Sequence, residues 1–169
     1  MPTNINIGIE EPKRKETSEG LYRILADTYV LYAKTQFFHW NVTGPFFFSL
    51  HELFEKQYEH LADAADDVAE RIRTLGYLAP GGLSHFLALS GLKDAEVVSE
   101  ASEMVRELVG DHEHVIQEIR SVLAVAQDSG DQGTLDLLVK QLQMHEKEAW
   151  ILRSHVEEER TGELLKEAV

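Results

Sequence analysis

The chain has 169 residues, with 30 acidic against 16 basic for a formal net charge of −14, and it has no cysteine. That length suits one domain around a single core, and the missing cysteines exclude disulfides, thiolate metal sites and a cysteine nucleophile. A bound metal would need imidazole and carboxylate donors, a set suited to iron, manganese or zinc. The acid excess argues against a nucleic-acid-binding body and favours cations.

Residues 1–16 hold Pro2, Gly8 and Pro12 among scattered charges without a period, which predicts a flexible N-terminal arm. The arm carries Lys13-Arg14-Lys15, the one local basic run, and has no apolar signal core. No apolar run approaches a membrane span, so a cytoplasmic protein without membrane contact is expected. Leu21, Ile24, Leu25, Thr28, Leu31, Tyr32, Thr35 and Phe38 then recur at three- and four-residue steps, a helix that stops at Gly44-Pro45. Ser49 and Glu52 read as a capping box opening a second helix that ends at Gly76. Residues 77–93 are turn-rich, with room for a short helix at Ser84–Leu89.

Asp94 is placed to cap a third long helix, whose stripe runs from Val97 through Met104, Leu108, Val115 and Ile119 to Val122. The run Gln127–Gly133 breaks it, and Thr134 starts a fourth helix through Leu138, Ala149 and Val156 that frays after Gly162. There is no strand candidate and no repeat. The reading is an all-α four-helix bundle over 17–162, with a long crossover carrying a short helix between the second and third helices, and a tail at 163–169.

Bundles of this kind can carry di-iron centres built on Glu-x-x-His pairs. This chain has no Glu-x-x-His, and Asp111-x-x-His114 is the nearest approximation, so a centre inside one bundle is not expected. A second constellation comprises His39, His51, Glu55, Asp66 and Glu70. His39 falls on the core stripe, where a hydrogen-bonded structural histidine is the commoner explanation. His51 and Glu55, like Asp66 and Glu70, are four apart on one helix face, a pattern more often merely solvated. Positions 51 and 66 lie about 22 Å apart along a helix rising ~1.5 Å per residue, too far for one metal. His39 and His51 flank the first turn and can approach each other. If two copies of the second helix pack antiparallel, each His39–His51–Glu55 end meets the mate's Asp66–Glu70 end, giving two equivalent sites. Ala62, Ala65 and Ala69 beside Tyr58 would let such a helix come close, although alanine is also the best helix former.

FFHWNVTGPFFFSLHELFEKQYEHL (37–61), DDVAERIRTLG (66–76) and HEKEAWILRSHVEE (145–158) closely resemble the Dps family of ferritin-like, DNA-protecting mini-ferritins, and the similarity covers the chain beyond its arm. The resemblance implies a dodecamer built from dimers. It implies a ferroxidase that oxidises ferrous iron, preferentially with hydrogen peroxide, at intersubunit di-iron sites and stores ferric mineral in a hollow cage, protecting DNA from oxidative stress. By position, His39 and His51 would supply imidazoles from one subunit and Asp66 and Glu70 carboxylates from its mate, with Glu70 bridging. Glu55 stands where the family often has aspartate. Zinc would compete for the same ligands.

Trp40 and Trp150 become candidates for quenching stray oxidising equivalents, with packing as the equal alternative. Asp128, Asp131 and Asp136 fall where the family lines its iron-entry pores, with turn and cap roles as the alternative. The other histidines, His60, His85, His112, His114, His145 and His155, are read as ordinary surface or core residues. Glu10, Glu11 and Glu16 oppose the arm's basic run, so DNA binding is expected to be weak or absent, even if the protein sits near the nucleoid. The competing functional reading is a DNA-compacting or structural cage with little catalysis.

Overall fold

The computed structural model describes residues 5–95 and 100–156. Five helices follow in order: α1 (Glu11–Asn41), α2 (Phe47–Thr74), the short α3 (Leu83–Leu89), α4 (Ala101–Asp128) and α5 (Gln132–Val156). No strand occurs among the described residues. None of their helices is long and apolar enough to cross a membrane. The long helices pair as α1 with α2 and α4 with α5, and α1 crosses to α4 to close the bundle.

The start of α1 corrects the expected arm. Pro12 sits in the first turn, where its missing N–H costs nothing and its fixed φ favours helix, so residues 11–16 are helical rather than free. Arg14 is buried and its Nη1 donates to the Leu75 carbonyl at 3.1 Å. Lys13 Nζ donates to the Asp128 carbonyl at 2.7 Å. Two of the three basic side chains are therefore tied to the body.

The expected capping box does not form. The helix already begins at Phe47, and the Ser49 hydroxyl donates back to the Phe46 carbonyl at 3.0 Å. At the far end of α2, Gly76 adopts φ 96°, the left-handed conformation that commonly stops a helix. The short crossover helix lies where the turn-rich segment left room for it. Helix α4 begins at Ala101 with Glu100 at its N-cap position, so Asp94 does not cap it, and Val97 lies outside the described residues. Helix α5 starts two residues before Thr134, because Asp131 caps it. The Thr134 N–H donates to Asp131 Oδ1 at 2.9 Å and the Thr134 hydroxyl to Oδ2 at 2.7 Å. The expected C-terminal fraying and tail lie outside the described residues.

The core is built from Leu21, Leu31, Phe38, Phe54, Ile72 and Leu108 with their neighbours. Helices α1 and α4 touch closely at Gly20, where a Cβ would stand 2.7 Å from Val122 Cγ2. Several polar side chains also lie inside. Lys34, 2% exposed, is paired with Glu107 at 2.7 Å and Asp111 at 2.8 Å. Gln57 Nε2 donates to Glu148 Oε2 at 2.8 Å. His112 and His145 are fully buried with their Nδ1 atoms 2.9 Å apart. One of those Nδ1 atoms must carry the proton that the other accepts. Of the two settings open to an ordinary histidine, His112 takes the core, since it falls between Leu108 and Val115 on the buried stripe of α4.

Candidate metal centre

The α1–α2 turn brings together two of the expected ligands. His39 closes the last turn of α1 and His51 lies in the first turns of α2, and their rings stack with centroids 3.8 Å apart and an interplanar angle of 17°. Each ring binds the other residue's main chain. His39 Nδ1–H donates to the His51 carbonyl at 2.9 Å and His51 Nδ1–H to the His39 carbonyl at 2.9 Å. A carbonyl can only accept, so both Nδ1 atoms carry a proton, and the neutral form of each ring keeps its lone pair on Nε2. Metal-binding histidines are commonly fixed in this way through the nitrogen that does not ligate. His39 is thus both a buried core residue and a prepared donor.

Glu55, half-buried one turn beyond His51, approaches the Tyr58 hydroxyl at 3.5 Å. Asp66 and Glu70 project from the other half of α2 and are exposed. Within one chain the five residues do not converge, and no group of three or more histidines and carboxylates among the described residues is placed to hold a metal. His51 and Asp66 are separated by about half the length of α2, about 22 Å at ~1.5 Å per residue.

Beside the carboxylate end runs a groove of about 300 Å³, lined by Tyr29, Tyr32, Ala62, Ala65, Asp66 and Ala69 among others. The alanine flank of α2 is therefore an open trough rather than a packed surface, and Asp66 stands in its wall. Exposed Phe46, Phe47 and Phe48 flank the histidine end. Monomeric proteins seldom leave contiguous large apolar side chains in water.

The remaining candidates divide. Asp131 is 1% exposed, and its carboxylate is committed to capping α5 and to the Arg71 guanidinium. Asp136 is exposed and pairs with Lys140 at 2.7 Å, and Asp128 is exposed and pairs with Lys13 at 3.1 Å. Trp40 and Trp150 are 66% and 62% exposed and make no ring contact among the described residues. Tyr58, which the sequence places only on the alanine flank, stands edge-on to His39 with ring centroids 5.3 Å apart. Tyr32 and Tyr29 extend that contact along α1, and their three-residue spacing was the signal available.

Fold and site together describe a helical bundle in which the candidate donors His39 and His51 meet at the α1–α2 turn while Asp66 and Glu70 stand further along α2. A family model described as a ferritin-like domain matches residues 18–161. The chain is 44% identical over 93% of its length to a low temperature-induced protein of Nostoc, covering 88% of that protein. It is 37% identical over 83% of its length to DNA protection during starvation protein 2 of Bacillus anthracis, covering 96% of it. The Dps protein of Vibrio cholerae, described as a member of a broad superfamily of ferritin-like diiron-carboxylate proteins, superposes with a TM-score of 0.87 and 30% identity, covering 92% of this chain and 98% of that one. The chain belongs to the Dps family of ferritin-like proteins.

Proposed function

We propose that this protein is a ferroxidase and iron store, oxidising ferrous iron with hydrogen peroxide at di-iron sites shared by two-fold-related subunits. In this reading the ferric product accumulates inside a cage of twelve subunits and DNA is spared oxidative damage. The observation that carries the proposal is the reciprocal His39–His51 clasp, which fixes both rings through Nδ1 and leaves each Nε2 as the ligating nitrogen of the neutral ring, with no metal-holding group completed among the described residues of the same chain. An antiparallel mate would supply Asp66 and Glu70. The open trough on the alanine flank of α2 gives its helix a place to lie.

The donor types suit the chemistry. Carboxylates hold ferric iron better than ferrous and so favour oxidation, while neutral imidazoles retain the ferrous ion. Two ferrous ions deliver two electrons to one peroxide, which with two protons becomes two waters and releases no radical. Zinc, which takes the same donors without redox chemistry, would act as an inhibitor. Asp136 and Asp128 remain the better pore candidates, because Asp131 is already spoken for within its own chain.

A DNA-compacting role draws less support. Lys13 and Arg14 are engaged with the body, and Lys15 stands 3.8 Å from Glu19. The soluble, cytoplasmic setting expected from the sequence belongs to the same proposal.

The test is anaerobic ferrous loading followed by peroxide, with ferric absorbance and the iron-to-protein ratio read after gel filtration. Rapid oxidation with iron retained in a large assembly is expected. The His39→Ala/His51→Ala variant should assemble and oxidise slowly. Unchanged kinetics in that variant would remove the histidines from the reaction.

A further inference from the structure

Three of the five tyrosines form a continuous line from the histidine end of the site. Tyr58 stands at 5.3 Å from His39, Tyr32 at 6.1 Å from Tyr58, and Tyr29 at 5.6 Å from Tyr32, as ring centroids. Every step lies within the ~4.5–7 Å range of aromatic contact. All three phenols are half-buried. The line ends in the groove whose wall also holds Asp66. In the shared-site reading, on which this inference rests, the Asp66 of one chain serves the second site of the dimer. The tyrosines therefore run from one site of the pair toward the other.

We propose that Tyr58, Tyr32 and Tyr29 form an electron-transfer ladder that couples the two sites of a dimer when each holds a single ferrous ion. The need for it follows from electron counting. One ferrous ion gives peroxide only one electron, breaking the O–O bond into hydroxide and a hydroxyl radical. The radical takes the hydrogen atom of the Tyr58 phenol, which breaks that O–H bond, forms water and leaves a tyrosyl radical. An electron then passes from Tyr32 to the Tyr58 radical while Tyr58 regains a proton and Tyr32 releases one, and the same exchange repeats from Tyr29, so the radical moves to Tyr32 and then Tyr29. A ferrous ion at the second site, with one proton, reduces it back to the phenol and becomes ferric. The sum is two ferrous ions oxidised and one peroxide reduced, with one proton, to water and hydroxide, with no radical left over.

The surroundings suit this role. The Tyr58 hydroxyl points toward Glu55 Oε1 at 3.5 Å, a contact that orients the phenol. Gln36 Nε2 donates to the Tyr32 phenol oxygen at 3.2 Å, a bond that holds the ring in line whether or not the phenol has lost its hydrogen. Trp40 is nearer to His39 in sequence, but its exposed ring has no onward ring contact among the described residues.

The test uses the assembled cage with enough ferrous iron to half-fill the sites, mixed anaerobically with peroxide. Rapid-freeze EPR reads tyrosyl radicals and a spin trap reads escaping hydroxyl radicals. Wild type is expected to show a transient tyrosyl signal and little trapped radical. In Tyr58→Phe, which keeps the ring and its packing, the tyrosyl signal should be lost and trapped hydroxyl radical should appear. Tyr32→Phe should confine the signal to Tyr58 and lengthen its life. Tyr22→Phe/Tyr77→Phe, off the line, should behave as wild type. No tyrosyl signal in wild type, a signal belonging to Trp40, or a Tyr58→Phe cage indistinguishable from wild type would each overturn the ladder. Slow iron oxidation by wild type at full loading would instead overturn the ferroxidase reading beneath it.

Discussion

Acidification should unfold this protein through two histidines that touch no metal. Burial lowers the pKa of His145 from 6.5 to about 3, and burial followed by the charge of His145 lowers that of His112 well below its usual value. Both rings are neutral in the fold, and their Nε2 atoms find no partner, so the interior offers an incoming proton nothing to bind. The unfolded chain does take protons, and each histidine begins to do so near its ordinary pKa. A group with a depressed folded pKa contributes stability that is present above pH 6.5 and is lost as pH falls toward 3. Each pH unit costs about 1.4 kcal/mol per group, so at pH 5 His145 alone removes about 2 kcal/mol and His112 adds to it. The assay is denaturant unfolding at fixed protein concentration from pH 8 to pH 5, comparing wild type with His112→Leu/His145→Met. The double variant should show the shallower decline, by about 2 kcal/mol or more at pH 5. Parallel profiles would refute the reasoning, since every exposed histidine is common to both proteins.

Other expectations rest on single contacts. Arg71→Ala should lower stability by about 3 kcal/mol at pH 7 in the same unfolding assay, because it strips the buried Asp131 carboxylate of its cation. Gly20→Ala should destabilise by about 1–3 kcal/mol, although alanine is the better helix former, since the added methyl would meet Val122. A wild-type or raised Tm would show that α4 can yield there. Mixing inactive His51→Ala and Asp66→Ala subunits should restore part of the peroxide-driven oxidation, and no recovery after confirmed subunit exchange would refute the shared site.

The apolar stripes made the helices legible, because a three- and four-residue rhythm survives almost any loop arrangement. The adjacency of His39 and His51 was legible for a related reason. A tight turn between two long helices leaves their near ends little freedom, but the mutual carbonyl hydrogen bonds are invisible without coordinates. Boundaries fared worse. Pro12 suits either a break in the chain or the first turn of a helix, and here Arg14 reaching Leu75 settles the matter from 61 residues away. Asp131 resembled a pore residue because sequence cannot show that Arg71 lies beside it. Charged side chains hide their burial most completely. Nothing about Lys34 marks it as an interior residue until Glu107 and Asp111 are seen against it.

The distance between the two ends of α2 has a consequence for where damage can occur. In the shared-site reading, a lone subunit carries histidines at one end and carboxylates at the other and can complete no centre. A newly made or dissociated chain is then catalytically silent, however much iron and peroxide surround it. In that reading the protein's own chemistry starts only where a second subunit is in place, so assembly has to precede catalysis.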